Sequence, residues 1–220
     1  MQEKDRDLIP ASAPIETGLD VASFVTSAVP WIGGPVSNVL SGASFGRKLG
    51  RVREVLTGLT EDLREFQSGV SENYVKTEEC EELLEQTLKR ACEERHEGKR
   101  RLYRSFLTDA IKSPGETYDE QLRLLRTIEQ LQPDHFVVLR ALNQPPSRDP
   151  GMMGSPGQTL QRRLPKMDKN HIAELVTQLN DYGITNLTTM DTMMTGHGAE
   201  NVGHSITPYG QRLLQFVLEA

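Results

Sequence analysis

The densest run of chemistry-bearing side chains is Lys99, Arg100, Arg101 and Arg104. On a helix Arg100 and Arg104 share a face and Arg101 lies beside it, which makes a cationic patch fit for lipid phosphates, nucleic acid or an acidic protein. The competing reading is internal pairing with the acid-rich residues 78–97, because most charge runs are solvated faces. Gly98-Lys99 is not a phosphate loop: Glu93 stands where that motif needs its first glycine, and Arg100 where it needs Ser or Thr. Cys92 and His96 are four apart, a spacing for two ligands on one helix face, but structural zinc takes four and Cys80 is about three turns away. His197, Glu200 and His204 sit in a glycine-rich stretch and are chemically competent for a divalent metal, although no second shell is visible and an ordinary mobile wing is the plainer reading. Asp134-His135 has the residue types of acid–base work without a Ser or Cys nucleophile, and Asp134 suits the first turn of a helix. No catalytic residue, metal site or cofactor is assigned.

Composition narrows the classes. The 220 residues suffice for one sizeable domain or two small ones, and the net charge of −6 disfavours a sequence-independent nucleic-acid binder. Leucine is plentiful and aromatics are scarce, which suits helices. Two cysteines indicate no disulfide framework and make a reducing compartment the default. The N-terminus mixes acids and bases without an apolar core and does not read as a secretory signal. The expected location is the cytoplasm, or the inner-membrane periphery reached from it.

The elements that position these residues are mostly helices. Residues 1–18 read as a flexible arm. Residues 21–46 carry no charge across 26 positions and are broken at Pro30-Trp31-Ile32-Gly33-Gly34-Pro35. This is too interrupted for a plain transmembrane helix, which needs about 20 continuous apolar residues. It has two readings: a helical hairpin buried by later helices, or one that enters a membrane conditionally. Trp31, Ile32, Gly33 and Gly34 form its tip. From Leu49 a helical stripe runs through Val52, Leu56, Leu59, Leu63 and Phe66. A helix capped by Thr77 follows, with a kink or division at Gly98 and a continuation burying Leu102, Phe106 and Ile111. Next come a helix over 117–131 and a short one from Pro133 carrying Phe136, Val137, Leu139 and Leu142. Residues 19–142 are thus expected as a helical bundle.

Residues 143–165 hold five prolines and three glycines, which makes 143–167 a linker. Residues 168–220 read as a winged-helix-like module: a helix capped by Asp168 and stopped at Gly183, strands over 184–190 and 204–207, a wing between them, and a last helix from Pro208. The fold class is therefore mainly α, a helical bundle followed by a small winged-helix-like α+β module. A winged helix suggests DNA, but residues 168–220 have six acids against two bases, Lys169 and Arg212. Arg162, Arg163 and Lys166 are the only compensation nearby. The module suits protein contact better.

Two segments, KRRLYRSFLTDAI with YDEQLRLLRTIEQLQPDHFVVLRAL, and the ending ITPYGQRLLQFV, resemble a diffuse group of bacterial helical proteins of the Abi-alpha type, some linked to abortive infection and phage defence. The likeness is one of pattern over most of residues 19–218, includes the WIGGP hairpin ahead of a charged helix, and shares no catalytic motif. It implies a non-enzymatic interaction protein, with a membrane-acting cell-death effector as the specific version. Its expected partners are a protein or a second copy, with conditional membrane contact. Nucleic acid is the less favoured partner, and a winged-helix transcriptional regulator is the alternative.

Overall fold

The structure, a computed structural model, describes residues 46–65, 74–112, 116–149 and 151–219. Residues 1–18 and the hairpin tip Trp31, Ile32, Gly33 and Gly34 lie outside the described residues. Among those described, the protein is mainly helical, with nine α-helices and one two-stranded sheet. The helices are α1 Gly46–Glu65, α2 Glu78–Glu93, α3 Glu97–Lys112, α4 Tyr118–Gln130, α5 Pro133–Leu142, α6 Pro156–Arg163, α7 Lys169–Asp181, α8 Gly196–Glu200 and α9 Pro208–Glu219. Strands β1 (Met153–Gly154) and β2 (Met194–Thr195) pair antiparallel, with Met153 opposite Thr195. No described helix is long and apolar enough to cross a membrane.

The chain divides into two compact units, Met1–Gln121 and Leu122–Ala220, and the division falls inside α4. In the first, α1, α2 and α3 pack on one another. The α1 stripe of Val52, Leu56, Leu59 and Leu63 is buried, as are Leu84, Leu88 and Ala91 of α2 and Leu102, Phe106 and Ile111 of α3. Thr77 caps α2 by accepting from Cys80 N. The break before α3 falls at residues 94–96 and not at Gly98, which lies inside α3. Side chains hold that corner: the Glu94 carboxylate accepts from His96 N at 2.8 Å, while His96 O accepts from Lys99 N and Arg100 N.

The second unit begins earlier than the expected module, because α5 packs against α6, α7 and α9. Residues 143–167 are not a plain linker: they contain α6, started by a capping box between Ser155 and Gln158 with Pro156 in the first turn. The expected strands 184–190 and 204–207 reduce to one antiparallel bridge, Thr185 to Ile206. The Asn180 carboxamide takes a neighbouring strand's place, donating to Leu187 O at 2.9 Å and accepting from Leu187 N at 3.1 Å. The expected wing is helical, as α8 and a 3₁₀ turn over Asn201–Ser205.

Gly183 ends α7 with φ +69°, the left-handed conformation that favours glycine. Gly210, in the first turn of α9, presses against the preceding bridge: a Cβ there would lie 2.1 Å from Ile184 O and 2.9 Å from Ile206 Cγ2. Gly210→Ala is expected to destabilise the second unit by about 1–3 kcal/mol through overpacking. Gly50→Ala, with open space at an exposed position inside α1, is expected to stabilise the first unit by up to about 1 kcal/mol. Urea unfolding midpoints of the two variants check both signs.

Candidate functional site

A cleft in the second unit grows from three helix ends. Capping by Ser155 starts α6, whose last turn delivers Arg162 and Arg163. Asp168 caps α7 by accepting from Asn170 N at 2.8 Å and His171 N at 3.2 Å. His135 fixes the start of α5: its Nδ1 accepts from Gln132 N at 3.0 Å, so the neutral ring carries its proton on Nε2, which donates to Gln178 Oε1 of α7 at 2.7 Å. Between α5 and the α6–α7 turn lies a cleft of about 670 Å³, in the range of sites that take small ligands or short peptide segments. Val137, Leu164, Pro165 and Met167 supply its apolar surface, and Asp134, Lys166, Asp168 and His171 its charged or polar rim. His171 Nε2 lies 3.1 Å from Asp134 Oδ2 across the rim.

Beneath the cleft is a buried ion cluster. The Glu200 side chain is 2% exposed and meets Arg163 at 3.0 Å as well as Arg162. It also accepts from Ser147 N at 3.0 Å and from Thr159 Oγ1 at 3.3 Å. The Arg163 side chain, 6% exposed, donates in addition to Ala141 O at 2.8 Å, at the end of α5. Burial, then the neighbouring Arg162 charge, pulls the Arg163 guanidinium below its ordinary value, though a guanidinium stays charged.

The residues singled out by sequence fall differently. Lys99 lies 3.5 Å from Glu94, Arg100 pairs with Glu54 at 2.7 Å, Arg101 pairs with Glu97, and Arg104 Nε lies 3.0 Å from Asp62. Arg100 also donates to Arg95 O at 2.9 Å, and Arg51 to Cys92 O at 3.0 Å, so arginines answer carbonyls at the end of α2. The run therefore serves the α1–α2–α3 corner, with Glu54 and Asp62 of α1 as partners that sequence did not indicate.

The metal readings fail on geometry. Glu200 is turned inward to the arginines, whereas His197 and His204 are exposed. Cys92 ends inside α2 and His96 lies beyond its last residue, so they do not share a helix face. No group of three His, Cys, Asp or Glu suited to a metal occurs among the described residues. Burial raises the Cys92 thiol and, with the Glu81 charge, pushes Cys80 up to about 12. Of the cleft residues, sequence placed Val137 on a short helix without giving it a face, and Arg163 and Lys166 in a linker. The signal for α6 was the Ser155-Pro156-Gly157-Gln158 box. The signal for Val137 was its step of three from the charged Asp134 and Arg140, which marks an outward face. Compared with protein-family models, curated proteins and solved structures, the chain matches none.

Glu200→Ala leaves the Arg163 charge buried without its carboxylate and is expected to cost about 3–5 kcal/mol. Arg162→Ala removes a partner whose side chain is 57% exposed and is expected to cost below about 1 kcal/mol; chemical denaturation measures both. Cys80, with its thiol at about 12, is expected to resist iodoacetamide at pH 8 in the native chain and to react once unfolded; peptide mass mapping reads the difference.

Proposed function

We propose that the chain is a non-enzymatic interaction protein whose C-terminal unit is a winged-helix-like module that contacts protein. In this reading α6 and α7 form the helix–turn–helix pair, and the Thr185–Ile206 bridge is what remains of the wing's strands. The observation that carries it is the cleft: its titratable groups other than Lys166 hold helix ends and one another, while Val137 stands 42% exposed beside an apolar turn. An exposed apolar surface edged by polar groups is the signature of a contact site.

The helix–turn–helix arrangement also favours a second reading, a DNA-binding regulator. Against it stands the charge of α7, whose one lysine, Lys169, lies 2.8 Å from Asp191. A recognition helix needs cations or amides turned to phosphates and base edges. The resemblance to Abi-alpha-type proteins supplies the setting, phage defence in a bacterial cytoplasm. The specific version is an effector that acts on membranes through residues 21–46, with Trp31, Ile32, Gly33 and Gly34 at the tip.

Dye release from vesicles of phosphatidylethanolamine and phosphatidylglycerol tests that version. The intact chain is expected to release dye, and Gly33→Leu with Gly34→Leu to reduce release severalfold. Release that the double variant leaves unchanged would remove the tip from the mechanism. A mobility shift at low salt, lost in Arg162→Ala with Lys166→Ala, would replace protein contact by DNA binding.

A further inference from the structure

We propose that the cleft at the α6–α7 turn receives a partner's peptide segment in which a bulky aliphatic side chain stands next to a carboxylate. This deepens, and rests on, the reading of the C-terminal unit as a protein-contacting module.

The aliphatic requirement comes from the walls. Val137 projects from α5 with 42% of its surface exposed, although Phe136, Val138 and Leu139 around it are buried. It faces the same space as Leu164, Pro165 and Met167. An apolar side chain entering this space leaves water on every side, a transfer worth about 1.5–3 kcal/mol for a fully buried leucine. A cleft of about 670 Å³ also has room for the residue that follows.

The carboxylate comes from the charge balance of the rim. Asp134 lies in the first turn of α5 and Asp168 is the N-cap of α7, so each sits at the positive end of a helix. Asp168 is spent on Asn170 N and His171 N, and Asp134 faces His171 Nε2 at 3.1 Å. Arg163 is spent on Glu200 and the Ala141 carbonyl. Lys166 is exposed, stands between Pro165 and Met167 on the apolar turn, and has no ion-pair partner among the described residues. It is the one rim charge that the fold does not answer. A carboxylate beside the inserted aliphatic group answers it.

The test titrates the intact ¹⁵N-labelled chain with capped tetrapeptides of sequence Ala-Leu-Asp-Ala, Ala-Leu-Lys-Ala and Ala-Ala-Asp-Ala, and with octanoate. The Leu-Asp peptide is expected to shift the amides of Val137, Lys166, Met167 and His171. Replacing its Leu by Ala should weaken binding about tenfold or more. Replacing its Asp by Lys should weaken it about threefold, the value of an exposed ion pair. Lys166→Glu should invert the Asp-over-Lys preference, and Val137→Asp should abolish binding. Both substitutions are at exposed positions, and the unchanged remainder of the spectrum reports that the fold is kept. Equal affinity for the Asp and Lys peptides, or shifts lying outside the cleft, would overturn the proposal. So would octanoate binding as tightly as the peptide, which gives the cleft to a small amphiphilic acid. A concentration-dependent dimer in sedimentation, lost in Val137→Asp, would give it to a second copy and equally overturn it. Absence of binding by all three peptides overturns the peptide assignment of the cleft; the membrane and DNA readings are decided separately, by vesicle release and DNA mobility.

Discussion

Taking a carboxylate and a guanidinium out of water together costs several kcal/mol per ion, so such a pair survives only where both groups are met on every side. Glu200 and Arg163 meet that condition. Two arginines, a backbone amide of residue 147 and the Thr159 hydroxyl surround the carboxylate. Arg163 turns its remaining donors to Ala141 O and Glu200 O. The partners come from the end of α5, the segment after it, α6 and the end of α8. Apolar packing alone would let these short elements slide, whereas hydrogen bonds of fixed direction give them one register. The α6–α7 turn, and with it the cleft, inherits its position from this cluster.

The first unit uses charge for a related purpose at its surface. The corner between α2 and α3 leaves carbonyls without helical partners, and guanidinium groups from Arg51 and Arg100 reach them. Lys99 is buried although charged, with Glu94 as its counter-ion. Burial alone would raise the Glu94 carboxyl, but the His96 amide and the Lys99 ammonium outweigh it and hold the group below its ordinary value. Charges used in this way are unavailable to an outside anion, and a patch that looks basic along the chain is offset by Glu54, Asp62, Glu94 and Glu97 in space.

Legibility in the sequence followed the range of the interactions. Stripes such as Val52, Leu56, Leu59 and Leu63, and caps such as Thr77 and Asp168, depend on neighbours within a turn or two, and they were readable. The α6 helix was also written locally, in the Ser155 box, but the prolines and glycines around it dominate a compositional reading. The strands were misread because residues 184–190 have strand-like composition while Asn180, a side chain on the preceding helix, satisfies Leu187 in place of a ladder. The inward turn of Glu200 was not legible at all. It depends on arginines 37 and 38 residues away, a separation that no helical period or spacing rule encodes.

Charge then limits what the C-terminal unit can do. Residues 122–220 contain nine basic and nine acidic side chains, so the unit is neutral overall. Four of the nine bases, Arg162, Arg163, Lys166 and Lys169, fall in or beside the α6–α7 turn, and three of these have carboxylate partners within the unit. Binding to a polyanion draws its affinity from cations that displace counterions, and paired cations first have to give up their carboxylates. A partner that brings an apolar side chain and a single negative charge asks for no such exchange. Such a partner would draw its affinity from the water released at Val137 and the neighbouring turn, a term that salt does not screen, and Lys166 would contribute orientation more than strength.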